Sequence, residues 1–270
     1  MLPQAGAFTS ACTNTPRIAL DASDRPIVAY RAGNAAFVQR LVGGAWVDLA
    51  ATPSFDIIFG YYDLALDSTG TPYFVLAVNN AARVLRFDAA TTSWVGVGAN
   101  AGLLPQTNTS GLVGPRLRFD GNGKPIVASL TSIGFGTTFT GAIVFRFDGT
   151  AWSNSIGFSL PNSYINNTAE PASAVDASGG VLMSWVNQSS DIGTSNVVQR
   201  NTGPSSWSPV GIDLGQVPQY WGHGITVEAL ALDARLVVIG TETYLTLIVN
   251  SAPGSGTSSY KVMLLKKVGA

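Results

Sequence analysis

The sequence predicts an all-β fold made of repeated four-stranded units, and three observations carry that prediction. Four segments align on one aspartate: Pro16–Arg31 on Asp21, Tyr62–Val78 on Asp67, Pro115–Leu130 on Asp120 and Pro171–Val186 on Asp176. Each holds a short apolar run, the Asp, three or four small turn residues, and a second β-rich run. A third run follows with an Arg, then a tight turn and a Trp: Arg40 and Trp46, Arg86 and Trp94, Arg146 and Trp152, Arg200 and Trp207. No long stretch has helical periodicity, and 30 Gly and 14 Pro punctuate the chain throughout. Four strands recurring about every 50 residues are the size of a β-propeller blade.

Each element has its own reason. The Asp at the mouth of the first hairpin suits an Asx-type turn, in which its carboxylate accepts backbone N–H groups. Gly70, Gly123 and Gly179 permit positive φ in three of the turns. A calcium loop is the alternative, but one or two carboxylates per turn are too few for tight binding. After each Trp comes a short fourth strand: Val47–Ala50, Val95–Gly98, Ser153–Gly157 and Ser208–Gly211. The Trp is expected to pack between neighbouring blades with its N–H on a carbonyl, and the Arg to lay its stem on the ring.

The fifth unit is degenerate. One register makes Asp233 its turn residue. The preferred one runs strand one over Leu236–Ile239, turns at Gly240, and continues with Tyr244–Val249 and Tyr260–Lys267. A missing fourth strand supplied by Gln4–Ser10 would close the ring and remove its exposed edges. The expectation is a single domain over residues 1–270. It is a five-bladed propeller with blades near 16–50, 62–98, 115–157, 171–211, and 235–270 plus 4–10.

Composition excludes several functions. Charged residues make up 11% of the chain, against about 25% in an average globular domain. Fifteen basic and 16 acidic residues give no broad positive field, so nucleic acid is not an expected partner. One Cys and one His cannot build a Cys/His metal centre, and no cofactor is expected. Cys12 has no intrachain disulfide partner. No apolar run approaches a membrane span, and Met1–Thr15 does not read as an intact signal peptide. The few Lys and Glu and the many Thr, Ser, Asn and Gly point to a secreted bacterial protein, extracellular or at the cell surface. The Asn-x-Ser/Thr triplets at Asn108, Asn166 and Asn187 are what chance gives in such a composition.

With these repeats the chain resembles a bacterial secreted β-propeller of the broad kelch, NHL and sialidase-like kind. The resemblance spans essentially the whole chain and implies architecture. It lacks the Gly-His and Trp-Asp pairs of WD repeats and the kelch double glycine. Two residues stand between Asp67 and Gly70, where the sialidase Asp-box has one.

Loop length singles out one face. The loops joining strands two to three, and one blade to the next, include 51–61, 99–114, 131–141, 158–170, 188–196 and 212–228, and are long for a compact domain. They carry aromatics and amides suited to a neutral polar ligand such as a sugar, or to a protein interface. The ligand-binding candidates are Tyr61, Tyr62, Phe135, Tyr164, Tyr220, Trp221 and His223, with Arg17 and Arg116 where strand one starts near the axis. Asp63, Glu170 and Glu228 start at the same end and would be the carboxylates of a hydrolase. Pairing of these acids with Arg17 and Arg116, which would neutralise the ring, is the favoured reading. The expected function is non-catalytic binding of a glycan or protein, with lectin-like, adhesive or self-associating behaviour. The alternative is a carbohydrate-active hydrolase.

Overall fold

A computed structural model describes residues 16–32, 35–50, 61–78, 81–105, 111–132, 139–156, 163–165, 171–189, 193–203, 206–210, 231–239, 242–250 and 260–266. The first sheet is β1 (Arg17–Leu20), β2 (Pro26–Ala32), β3 (Ala35–Val42) and β4 (Ala45–Asp48). The second is β5 (Tyr62–Leu66), β6 (Pro72–Val78), β7 (Ala81–Asp88) and β8 (Ser93–Gly96). Then come β9 (Gly111–Phe119), β10 (Pro125–Ser132), β11 (Phe139–Phe147) and β12 (Trp152–Ile156). They are followed by β13 (Ser163–Ile165), β14 (Ala172–Val175), β15 (Val181–Ser189), β16 (Gly193–Gly203) and β17 (Ser206–Pro209). Last are β18 (Ala231–Ile239), β19 (Glu242–Asn250) and β20 (Tyr260–Lys266). Within each unit the strands pair in chain order.

Two features depart from the sequence reading. The segment 158–170, read as a loop, contains β13, which pairs with both β11 and β15 and links the third and fourth units into one hydrogen-bonded path. Strands also run into other expected loops: β10 reaches Ser132, β11 starts at Phe139, and β15 and β16 cover 181–189 and 193–203. Backbone pairing continues there because each residue added to a hairpin satisfies its own N–H and C=O. In the last unit Asp233 lies inside β18 beside a bulge, and Ile239 of β18 pairs with Glu242 of β19.

The chain divides into two compact units, Met1–Thr107 with Gly111–Val127 and Arg146–Ser153, and Asn108–Ser110 with Ala128–Phe145 and Asn154–Ala270. In the first, strand alternation builds the core. Ile27 and Ala29 on β2 and Ala36 and Val38 on β3 meet Tyr62 and Leu64 on β5, and Phe74 and Leu76 on β6. On β1, Arg17 is buried, while Ile18 and Leu20 alternate to the other, exposed side. The opposite face of β6 places Tyr73 edge-on to Phe119 of β9, centroids 5.0 Å apart.

The recurring residues divide their work differently from the expectation. Leu41 stands opposite Trp46, Phe87 opposite Trp94 and Asn201 opposite Trp207, so the preceding Arg points to the other side of the sheet. The Trp rings therefore meet aromatic neighbours, Phe87 at 5.6 Å and Phe147 at 5.1 Å, rather than Arg stems. Two indoles bond to the preceding repeat. Trp152 Nε1 donates to the Val97 carbonyl at 2.8 Å, and Trp207 Nε1 to the Ser155 hydroxyl at 3.2 Å. Each acceptor stands three residues after the previous Trp.

Candidate functional site

At the start of the first strands, Asp63 is 5% exposed. Its Oδ1 lies 3.5 Å from Arg17 Nε on β1. Its Oδ2 accepts the Leu117 N–H at 2.9 Å and Arg118 Nη1 at 3.0 Å, both from β9. Arg17 also donates Nε to the Tyr62 carbonyl at 3.3 Å and sits 5.9 Å above the Tyr62 ring. The carboxylate is thus held from both neighbouring sheets by charge-assisted bonds, the arrangement that makes a buried charge tolerable. Tyr62 is 2% exposed and packs on Phe74, centroids 5.8 Å apart. Arg116 is 3% exposed. Tyr61 is half-buried, and its carbonyl accepts the Ala77 N–H.

Sequence reasoning paired Asp63 with Arg17 and Arg116 but missed Arg118. A signal was present. Two residues before each turn Asp stand Ala19, Ala65 and Ala174, and only the third unit puts a charge there. Tyr164 lies on β13 opposite Gln188. Phe135, Glu170, Tyr220, Trp221, His223 and Glu228 lie outside the described residues.

The other end of the strands carries the aspartate turns. Oδ1 of Asp21 accepts the N–H of Ser23 and Arg25. Oδ1 of Asp67 accepts those of Thr69 and Thr71, Asp120 those of Asn122 and Lys124, and Asp176 those of Ser178 and Gly180. The fourth turn residue has positive φ each time: Asp24 at 57°, Gly70 at 80°, Gly123 at 73° and Gly179 at 81°. All four are therefore the Asx turn read from sequence, with Asp24 replacing the glycine in the first.

The second carboxylate oxygen is treated differently in the first, second and fourth units. In the fourth, Arg200 Nε bonds Asp176 Oδ2 at 2.6 Å. Burial pushes the Asp176 carboxyl up, but hydrogen bonds from Arg200, Ser178 and Gly180, with the Arg200 charge, outweigh it and lower the pKa to about 2. In the first, Arg25 takes Asp21 Oδ2 at 2.9 Å and leaves Arg40 at 4.0 Å. In the second, no ion pair joins Asp67 to Arg86 among the described residues, and a cleft opens there. No group of three or more His, Cys, Asp or Glu among the described residues could hold a metal ion. No described helix is long and apolar enough to cross a membrane.

No protein-family model matches the chain, and no curated protein matches it. Solved structures do. A protein of unknown function from Dyadobacter fermentans matches at TM-score 0.58 and 13% identity, over 97% of this chain and 78% of that one. An α-L-arabinanase from Penicillium chrysogenum, solved with arabinobiose, matches at 0.50 and 13%, over 91% and 79%. An α-L-arabinofuranosidase from Fusarium graminearum, solved with an iminosugar inhibitor, matches at 0.51 and 10%, over 92% and 79%. At such identities the likeness concerns fold alone. With the sheets described above, it makes the chain an all-β protein of the β-propeller type, built from four-stranded antiparallel blades.

Proposed function

We propose that this chain is an extracellular glycan-binding protein that does not cleave its ligand. Binding would use the loops joining strands two and three and those joining successive blades, with Tyr61, Tyr164, Tyr220 and Trp221 as aromatic contacts. A five-bladed ring closed by residues 4–10 would carry those loops around one channel mouth. The observation that carries the reading is the state of Asp63. A general acid or nucleophile needs an oxygen open to substrate, and both Asp63 oxygens are engaged by Arg17, Leu117 and Arg118 in a nearly closed position. The sugar-bound arabinanase supports the ligand class, because its similar fold holds an arabinose disaccharide.

The test pairs a glycan array with a reducing-end assay on arabinan and xylan. The expected outcome is binding without sugar release, weakened by Trp221→Ala and Tyr220→Ala. Release abolished by Glu170→Gln or Glu228→Gln would establish the hydrolase instead. Gel filtration over a range of concentrations tests self-association. A surface of low net charge favours it, and a monomer at every concentration would remove it.

A further inference from the structure

The turn of the second unit borders a cleft of about 490 Å³ lined by Arg40, Asp67, Thr69, Thr71, Arg86 and Phe87. Its size is that of a small-molecule site, about 300–1,000 Å³. It lies at the aspartate-turn end of the strands, away from the loops discussed above. Its polar groups are open for a traceable reason. In the fourth unit the residue four past the Asp is Gly180, and a Cβ there would fall 2.5 Å from Arg200 Nη2 and 2.6 Å from Asp176 Oδ2. A side chain there would crowd the Arg200–Asp176 pair. The second unit has Thr71 at the same place, and Arg86 bonds the Tyr73 hydroxyl instead.

Three groups are left facing the cleft with bonding capacity. Asp67 uses Oδ1 for the N–H of Thr69 and Thr71 and the Thr69 hydroxyl, while its Oδ2 makes no hydrogen bond among the described residues. Arg40 Nε is buried without a hydrogen bond, and the Asp21 oxygen 4.0 Å away already holds Arg25. Arg86 brings the second guanidinium. Asp88, also at the rim, is committed to its own turn through the Ala90 N–H and the Thr91 hydroxyl. The Thr69 and Thr71 hydroxyls stand 2.9 Å apart between the charged groups.

We propose that this cleft binds a sugar acid, a saccharide unit bearing a carboxylate. The carboxylate lies across Arg40 and Arg86, whose guanidinium forks match its geometry. Ring hydroxyls donate to Asp67 Oδ2 and meet the paired threonines, and the apolar ring face rests on Phe87. An anion alone would leave the Asp67 oxygen unpaired and repelled, and a neutral sugar would leave both guanidiniums to water. A uronate unit satisfies both sets at once.

The test titrates the full chain calorimetrically with oligogalacturonate, a neutral galactan oligomer and an oligoglutamate peptide. Oligogalacturonate is expected to bind, more weakly as salt rises, and Arg40→Gln and Thr71→Gly should each weaken it at least tenfold with the melting temperature near wild type. Thr71→Gly is the sharper variant, because it removes no charge: it takes away one hydroxyl and lets Arg86 close onto Asp67. Equal binding of neutral and acidic oligomers, preference for oligoglutamate, no oligogalacturonate binding, or unchanged affinity in both variants would overturn the proposal. Arabinan binding at the loop face is scored separately, so either reading can fail alone.

Discussion

Two carboxylates stand at opposite ends of β5, four residues apart, and only one is closed. Asp63 holds Arg17 on one side and Leu117 and Arg118 on the other. Asp67 spends one oxygen on its own turn and leaves the other in a cleft. The fourth unit shows what closure of the second kind looks like, with Arg200 on Asp176. At the turn one side chain at a fixed register, Thr71 or Gly180, decides the outcome, while Asp63 is closed by Arg17, Arg118 and the Leu117 N–H together. The turn supplies the same carboxylate position in all four units, and a neighbour determines whether it is closed or faces a cleft.

The largest effect should come from breaking the closed end. Asp63→Ala strands a buried Arg17 and removes the acceptor for Leu117 N–H. It should cost about 3–5 kcal/mol, read as a shift in the urea midpoint. A loss below about 1 kcal/mol would mean that the Asp63 pairs are not a structural lock. Next is Gly180→Thr, which copies the second turn into the fourth. It should expel Arg200 and cost about 1 kcal/mol, because the bonds from Ser178 and the residue-180 N–H to Asp176 stay and solvent screens the lost ion pair.

The pH dependence sharpens the same contrast. The folded pKa of Asp176 is depressed, so its contribution is present above the unfolded value, about 3.9, and fades as pH falls toward 2. Wild type should lose about 1 kcal/mol more than Gly180→Thr between pH 5 and pH 2, measured by denaturant unfolding at each pH. The smallest effect belongs to the open end. Asp67→Asn keeps the Oδ1 acceptor and its two backbone bonds, so stability should change by less than about 1 kcal/mol.

Much of the fold was legible because it depends on local chemistry. Asp, then small residues, then a residue that tolerates positive φ is a complete instruction for the Asx turn, and all four turns form. The Arg–Trp stacking failed for a reason that was also in the sequence. The tight turn at Gly43-Gly44 sets Val42 opposite Ala45 and therefore Leu41 opposite Trp46, which sends Arg40 to the other side. The indole acceptors were not legible, since the Val97 carbonyl is backbone and has no side-chain signature. The roles of Arg118 and Gly180 depend on which strand lies beside which, a fact set by packing. The loop-face candidates Phe135, Glu170, Tyr220, Trp221, His223 and Glu228 fall outside the described residues, so their part in the site rests on the sequence.

The indole bonds have a consequence for how the molecule comes apart. Trp152 is tied to the residue three past Trp94, and Trp207 to the residue three past Trp152. The third and fourth repeats therefore each hold the end of the one before, so melting one strand frees a donor in the next. Such nearest-neighbour coupling makes a linear array of small sheets unfold as larger blocks. Slow amide exchange should then extend through β8, β12 and β17 together, even though each of them, taken alone, is a strand of only four or five residues.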